Sequence, residues 1–220
     1  MLTKRLQTIL DVLPNVQSVV DVGTDHCLLP IAIKKKYPNM EVSASDVAKG
    51  PLASAQKMLQ EHHMHDIQLY LSNGVQDLPM QCEAVIIAGM GANTMIEILE
   101  KGFDYCKACK YLVLQANKDV DLLREWLFTH GFSIVAEEIV FDYKYYQILV
   151  VEYKKQEWNS LDVMFGPILR NQHSNIFQEY WSQELDKYQK IVKQLPSDYP
   201  KLKEANSKLQ MMQDIVKKGK

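Results

Sequence analysis

Three carboxylates and one glycine occupy positions at which they could bind a positively charged ligand that contains a ribose. Asp21, Gly23 and Asp25 lie close together in the chain, and Asp46 follows Asp21 by 25 residues. A carboxylate can pair with a cationic group and can accept hydrogen bonds from both ribose hydroxyls. The glycine lets the backbone approach such a ligand closely. We therefore treat these residues as a candidate cofactor site, although each acid alone could be a loop cap or a surface charge.

The loop Asp21-Val22-Gly23-Thr24-Asp25-His26 also indicates which cofactors do not fit. The dinucleotide fingerprint G-x-G-x-x-G requires a glycine where Asp25 stands, and a pyrophosphate would meet a carboxylate there. S-adenosyl-L-methionine has no phosphate, and its α-ammonium and sulfonium groups suit Asp21 and Asp25. The expected cofactor is therefore S-adenosyl-L-methionine, with Asp46 on the ribose hydroxyls. The full set of residues expected to bind it is Asp21, Gly23, Asp25, Asp46, Asn73, Gly74, Ala88 and Gly89.

These residues follow short apolar segments that the sequence predicts to be strands. The segments are 18–22, 41–45, 67–71, 84–88 and 111–114. They alternate with amphipathic segments of helical length near 28–37, 51–63, 93–101 and 119–130. Such alternation predicts a parallel sheet with right-handed crossovers. In a sheet of this kind the loops beyond the carboxyl ends of the strands bind the ligand.

The last two predicted strands, 133–141 and 146–153, are separated by only four residues. Four residues cannot hold a crossover helix, so these strands must pair antiparallel as a hairpin. The predicted fold is therefore α/β, with a parallel sheet that ends in an antiparallel hairpin. This arrangement is typical of the Rossmann-like class I S-adenosylmethionine-dependent methyltransferase fold, whereas a nicotinamide-binding domain would continue parallel.

The carboxy-terminal part of the chain has a helical pattern. Its apolar residues step by three and four on either side of a proline-bounded break at 196–200, and they are Trp181, Leu185, Tyr188, Val192, Leu195, Leu202, Ala205, Leu209, Met212 and Val216. The pattern predicts an antiparallel two-helix coiled-coil extension. We expect a catalytic domain over 1–155 and a helical domain over 156–220.

The charge of the chain is distributed unevenly between these parts. Residues 151–220 carry a net charge of +3, and residues 1–150 carry −5. This asymmetry is a weak indication that the helical domain binds a polyanion, although a solvated lysine-rich surface would have the same composition.

The composition of the chain excludes several classes of protein. Apolar residues make up 47% and charged residues 24%, as in ordinary globular proteins. Neither a run of roughly 18 apolar residues nor a secretory signal pattern occurs, so we expect a cytoplasmic protein without membrane contact. Cys106 and Cys109 have CxxC spacing, but one pair supplies only half of a zinc site, so we expect no metal.

The segment Ala88-Gly89-Met90-Gly91-Ala92-Asn93, which follows the fourth predicted strand, restricts the chemistry further. It lacks the Asn/Asp-Pro-Pro-aromatic turn that usually accompanies methylation of exocyclic amines. The chain also has no Pro-Cys pair, the usual context of the nucleophile in cytosine C5 methylation. The glycines instead leave an open surface against which a flat base could lie.

Four motifs in this order resemble the bacterial TrmK family of tRNA methyltransferases, which act on N1 of adenine at position 22. They are Thr24-Asp25-His26-x-x-Leu29-Pro30, Ile87-Ala88-Gly89-Met90-Gly91, Leu114-Gln115-Ala116-Asn117 and Lys144-Tyr145-Tyr146. The resemblance covers nearly the whole chain, including the helical pair, which the family has as a coiled-coil extension. The chain departs from the family's pattern at Ala92, Ala116 and Gln147.

The resemblance implies a tRNA (adenine-N1)-methyltransferase with tRNA as its partner. Adenine N1 has a free lone pair and no proton at neutral pH, so it can attack a methyl group without a general base or a covalent intermediate. The base must be flipped out of the folded tRNA. The residues expected to hold it are His26, Met90, Gln115, Asn117, Tyr143 and Tyr145. Helix capping, loop bridging and hairpin packing are simpler explanations for several of them.

Two other hypotheses remain open from the sequence. The chain could methylate a small molecule or a protein and use its helical pair as a dimerisation arm. It could also be an RNA-binding module that no longer turns over a cofactor, although the intact Asp21, Gly23 and Asp46 argue against this. We expect a monomer, although a helical seam within one chain has the same pattern as a seam between two chains.

Overall fold

The computed structural model describes residues 2–218, so residues 1, 219 and 220 of the expected domains lie outside the described part. The strands are β1 (Ser18–Val22), β2 (Glu41–Asp46), β3 (Gln68–Leu71), β4 (Ala84–Met90), β5 (Tyr111–Ala116), β6 (Ser133–Asp142) and β7 (Lys144–Glu152). The helices are α1 (Lys4–Val12), α2 (Leu28–Lys36), α3 (Lys49–Glu61), α4 (Ala92–Lys101), α5 (Phe103–Ala108), α6 (Val120–Thr129), α7 (Ser160–Phe165), α8 (Leu169–Gln172), α9 (Asn175–Lys193) and α10 (Leu202–Lys218).

The strands form one sheet in the order β3-β2-β1-β4-β5-β7-β6. The strands β1 to β5 pair in parallel, whereas β7 is antiparallel to both β5 and β6. Both faces of the sheet are covered, because Val20 and Val22 of β1 enter one apolar core and Val19 enters the other. This topology confirms the predicted methyltransferase sheet. The strand order reverses between β1 and β4, the place at which such sheets bind ligands.

The hairpin is tighter than the sequence predicts. Asp142 of β6 pairs with Lys144 of β7, so Tyr143 alone forms the turn. Tyr143 adopts a left-handed backbone with φ 62°, which reverses the chain over one residue. The predicted boundaries at 141 and 146 are therefore wrong, because both strands continue further toward the turn.

Helix α1 is not among the predicted elements, although its sequence carries a clear signal. Thr3 Oγ1 accepts a hydrogen bond from Leu6 N at 3.3 Å and caps the helix. Ile9 and Leu10 are buried on the face that packs against the sheet. The threonine followed by apolar residues at helical spacing could have revealed this helix. Its importance is that it brings Arg5 to the edge of the sheet.

The segment containing α7 and α8 is anchored to the sheet by a fully buried ion pair. Arg124 Nε of α6 donates to Glu137 Oε1 of β6 at 2.9 Å, and neither side chain is exposed. Glu137 Oε2 accepts from the backbone N–H groups of Ile168 and Leu169 at 2.9 and 3.2 Å. Gly166 has φ +84°, and a Cβ there would lie 2.5 Å from Glu137 Oε2. The chain therefore passes against the ion pair at a position that requires glycine.

Helices α9 and α10, which we call the helical arm, pack on each other and on the outer strand β6. Their shared core contains Phe177, Trp181, Met212, Ile215 and Val216, with Ile139 of β6 and Phe165 of α7 beneath them. The predicted apolar stripe is therefore buried by contacts within the chain at the end of the arm that lies against the sheet. No helix within residues 2–218 has the length and apolarity needed to cross a membrane.

We expect Glu137→Gln to lower the free energy of unfolding by about 3–5 kcal/mol, because it leaves the Arg124 charge buried without its partner. Urea denaturation at neutral pH measures this value. The matched control is Glu138→Gln on the neighbouring, exposed position. Similar small effects of the two substitutions would show that the ion pair does not anchor the segment.

Candidate active site

The loops that carry the predicted site residues meet at one edge of the sheet. The strands β1, β2, β4 and β5 are parallel, and their register aligns Val22 with Ser45 and with Ile87. Ala88 in turn pairs with Gln115. The pairing of β4 with β5 is interrupted between Ala88 and Met90, so the regular part of β4 ends at Ala88, and we call residues 89–91 the turn after β4. Gly23, the end of β2 and this turn therefore lie side by side, as the sequence predicts for strands of this order.

The loop after β1 is closed onto β2 by its own backbone. Gly23 N and Thr24 N both donate to the carbonyl oxygen of Ser45, at 2.8 and 3.0 Å. Gly23 has φ +77°, and a Cβ at this position would overlap the Met90 methyl group. The glycine is thus required by its left-handed conformation, whereas the Met90 methyl group ends a flexible side chain and could move aside.

Asp25 and His26 occupy the outer rim of this loop. Their side chains are 78% and 54% exposed, and Asp25 Oδ1 lies 3.4 Å from His26 Nε2. His26 and Cys27 both have left-handed backbones, with φ 57° and 55°. Two consecutive non-glycine residues in this region indicate local strain, which is common where a loop is shaped for a ligand.

The surroundings of Asp21 disfavour the charged form of its carboxyl group. It is buried, and this burial raises its pKa to about 6. Thr24 and the Arg5 guanidinium lower the pKa in part, whereas the Asp46 carboxylate raises it. Thr24 Oγ1 and Ser45 Oγ are both buried without hydrogen-bond partners in the described chain. A ligand with an ammonium group and polar atoms would fit this set.

Asp46 and Asn73 line the neighbouring part of the edge. Asp46 is half-buried, and its Oδ1 accepts from Ala48 N at 2.8 Å, which leaves the other oxygen available. Asn73 is exposed. Gly74, by contrast, is buried, and a Cβ there would lie 3.0 Å from Ile98 of α4. The structure thus gives Gly74 a packing role, which the prediction of a cofactor contact does not include.

Gln115 is fully buried, so it does not present its amide to a base as the sequence analysis expects. Its Oε1 accepts from Arg5 Nη1 at 2.6 Å and from Gly89 N at 3.2 Å, and its Nε2 donates to Asn117 Oδ1 at 3.2 Å. Asn117 Nδ2 donates to the Gly89 carbonyl at 2.6 Å, and Asn117 N donates to the Met90 carbonyl at 2.7 Å. The two amides therefore fix the turn after β4 in position.

Arg5 is the site residue that sequence reasoning missed. Its guanidinium contacts Gln115 and lies 5.4 Å from the ring centre of Tyr146. Its backbone N–H donates to Asp142 Oδ2 at 3.0 Å. It reaches the site only because α1 packs across β6 and β7, a tertiary contact that no spacing in the sequence encodes.

The aromatic residues of the hairpin point in different directions. Tyr143 is 96% exposed at the tip. Tyr145 is half-buried, packs against Phe141 and Tyr180 at 4.9 and 5.3 Å, and accepts a hydrogen bond from Gln183 at 3.1 Å. Tyr145 therefore faces the helical arm. The structure brings Met90 and Asn117 together at the sheet edge with His26 on the rim of the adjoining loop, and it places Tyr145 beside the arm.

The cysteines with CxxC spacing are buried inside the fold. Burial raises the pKa values of the Cys106 and Cys109 thiols to about 12, so both are protonated at neutral pH. Protonated thiols are poor nucleophiles and poor metal ligands. Residues 2–218 contain no group of three His, Cys, Asp or Glu side chains arranged to hold a metal ion.

Comparisons with known proteins agree on one family. A family model described as TrmK, tRNA (adenine(22)-N(1))-methyltransferase, matches residues 19–220. The Bacillus subtilis (strain 168) tRNA (adenine(22)-N(1))-methyltransferase is 28% identical over 233 residues, which cover 99% of this chain and 98% of that protein. The crystal structure of the B. subtilis TrmK methyltransferase has a TM-score of 0.88 at 28% identity and covers 98% of this chain and 99% of its own. A Streptococcus pneumoniae protein crystallised with S-adenosyl-L-methionine has a TM-score of 0.88 at 32% identity, and the match covers 98% and 100% of the two chains.

We expect Asp21→Asn to stabilise the protein without ligand at pH 7.5 by on the order of 2 kcal/mol, because a pKa difference of one corresponds to about 1.4 kcal/mol. The folded-state pKa of Asp21 lies near 6, above the unfolded value of about 3.9, so stability falls as pH rises between these values. The gain should therefore disappear near pH 4. Urea denaturation at the two pH values measures it. The exposed Asp25→Asn is the control, and equal stability of Asp21→Asn and wild type at pH 7.5 would contradict the assignment.

We expect Asp46→Ala to weaken binding of S-adenosyl-L-methionine by about 1.5–3 kcal/mol, the usual loss for hydrogen bonds to a charged acceptor. Isothermal titration calorimetry measures the affinity. Asp66→Ala, an exposed acid paired with Lys34, is the matched control. An unchanged affinity of Asp46→Ala would remove Asp46 from the site.

Proposed function

The chain belongs to the TrmK family, and we propose that it transfers a methyl group from S-adenosyl-L-methionine to N1 of adenine 22 in tRNA. The single observation that supports this most strongly is the position of the buried Asp21 carboxylate beside the fixed turn after β4. This arrangement supplies a cation-binding group and an open acceptor surface at the same sheet edge. S-adenosyl-L-methionine supplies an electrophilic methyl group on a positively charged sulfur.

In this proposal the residues around β1 and β2 bind the cofactor. The Asp21 carboxylate accepts hydrogen bonds from the α-ammonium group. This positive charge offsets the cost of burying a charged carboxylate. Asp46 accepts hydrogen bonds from the ribose hydroxyls. The unpartnered hydroxyls of Thr24 and Ser45 supply further polar contacts. Gly23 keeps the backbone surface free of a side chain at this position.

The acceptor base lies against the turn after β4. Gly89 and Gly91 have no side chains to exclude a flat ring, and Gln115 and Asn117 hold the turn through their hydrogen bonds. The base must leave the tRNA helix to reach this edge of the sheet, and flipping it out is the route that such enzymes use. Because N1 of adenine already has a lone pair, the residues need only to align it. Gln115 acts here as a positioning residue.

The helical arm and residues 156–172 are proposed to bind tRNA, with residues 1–155 as the catalytic domain. The exposed lysines of the arm and of the turn between its two helices include Lys190, Lys193, Lys201, Lys203 and Lys217. Phosphates of a folded RNA are the polyanion that such a surface would bind.

A monomer is supported by the apolar faces of α9 and α10, which are buried within the chain where the helices lie against the sheet. Since tRNA is the substrate, we place the enzyme in the cytoplasm.

The decisive test of this function is incubation of the protein with labelled S-adenosyl-L-methionine and unmodified tRNA, followed by nucleoside analysis. We expect one 1-methyladenosine per tRNA. The same tRNA with guanine at position 22 is the matched control, and it should not be labelled. A lack of 1-methyladenosine in the adenine-containing tRNA, or equal labelling of both RNAs, would refute the proposal.

A second test addresses the arm. Reversing the charges of Lys193, Lys201 and Lys203 to glutamate should weaken tRNA binding and lower the salt slope of binding by about 0.7–0.9 for each phosphate that the protein no longer neutralises. The matched control reverses Lys35, Lys57 and Lys101, which are exposed on the catalytic domain. Filter binding at several salt concentrations measures both slopes. A slope that is the same for the arm variant and for wild type would show that these lysines do not bind tRNA.

A further inference from the structure

A pocket of about 370 Å³ lies between the beginning of α6 and the helical arm. Asn117 and Lys118 line it on the catalytic side, and Tyr180 and Tyr188 line it on the arm. We call it the arm pocket. Its volume falls within the range of about 300–1,000 Å³ that is typical of small-ligand sites. The proposed cofactor and acceptor sites do not use it, except that Asn117 borders both the pocket and the turn after β4.

The walls of the arm pocket are suited to a flat ring. The rings of Tyr145 and Tyr180 lie 5.3 Å apart at a tilted angle, and Tyr188 is half-buried further along α9. Ile191, which also lines the pocket, leaves 54% of its surface exposed. Aromatic side chains stack on nucleobases regardless of sequence, because every base has a π-face. An unstacked base therefore finds aromatic and apolar surface here.

The rim of the arm pocket combines lysines with carboxylates. The three rim pairs are Lys187–Glu184 at 2.7 Å, Lys208–Asp121 at 3.7 Å and Lys118–Asp119 at 4.0 Å. Because such exposed pairs are weak, a phosphate can replace the carboxylate as partner of a lysine. A released carboxylate can accept a hydrogen bond from an exocyclic amino group of a base. The rim thus offers groups for both the phosphate and the edge of a nucleotide.

The position of the arm pocket indicates which nucleotide it would take. Asn117 Nδ2 donates to the Gly89 carbonyl at 2.6 Å in the turn proposed as the acceptor floor, and Asn117 also lines the pocket. An RNA strand whose base occupies the acceptor surface therefore continues directly past Asn117. We propose that the arm pocket binds an unstacked nucleotide adjacent to the target adenine in tRNA. This inference rests on the proposed function and adds a second base-binding site to it.

Photo-crosslinking locates this nucleotide directly in the full-length wild-type protein. The probe is tRNA with 8-azidoadenosine at position 21 or at position 23, and crosslinked peptides are identified by mass spectrometry. We expect one of the two probes to crosslink within α9 or at Tyr145. Crosslinks of both probes only to the hairpin tip or to the loop after β1 would overturn the inference. If the same preparation forms 1-methyladenosine, the proposed function stands while the inference falls; if it forms none, both fall.

Charge reversal tests the pocket in a second way. Lys187→Glu should raise the Kd for tRNA at least about tenfold, whereas Lys57→Glu, an exposed lysine of the catalytic domain that is also paired with a glutamate of its own helix, should raise it about threefold at most. Both variants change the net charge equally, and calorimetry with S-adenosyl-L-methionine checks that the fold and the cofactor site are intact. Equal effects of the two substitutions would show that lysines attract tRNA only through their general charge, and the inference would be wrong.

Discussion

The site depends on one constraint, the burial of the Asp21 carboxylate. The fold holds this group at the carboxyl end of β1, where burial raises its pKa to about 6 and a cation is needed to offset the cost. Gly23 and the Ser45 carbonyl fix the loop around it. The charged carboxylate therefore lowers the stability of the free protein, and we propose that binding of the cationic cofactor restores it.

Two hydrogen-bond networks connect this edge to the rest of the molecule. Arg5, Gln115 and Asn117 hold the turn after β4, so that the first helix and the fifth strand together shape the surface that we propose for the acceptor base. Arg124 and Glu137 hold the segment that leads into the helical arm. Arg124 also donates to the side-chain oxygen of Gln147, which is neutral, so Glu137 is the carboxylate partner of Arg124. The arm is thereby placed beside the acceptor surface.

Sequence patterns predict the parts of this structure that local rules determine. The alternation of strands and helices, the antiparallel hairpin and the acids at the ends of β1 and β2 are all readable from spacing. The buried position of Gln115 and the arrival of Arg5 could not be predicted, because both result from α1 packing across the sheet. The direction of Tyr145 is likewise decided by contact with Tyr180, which is distant in the sequence and lies on the helical arm.

The most direct test of this account is the pKa of the Asp21 carboxyl, measured by ¹³C NMR with and without cofactor. We predict a value near 6 in the free protein and a fall below the ordinary value of about 3.9 when S-adenosyl-L-methionine binds, because its ammonium stabilises the charged form. Asp21→Asn identifies the resonance. A pKa that is already low in the free protein, or that does not change on binding, would contradict the account.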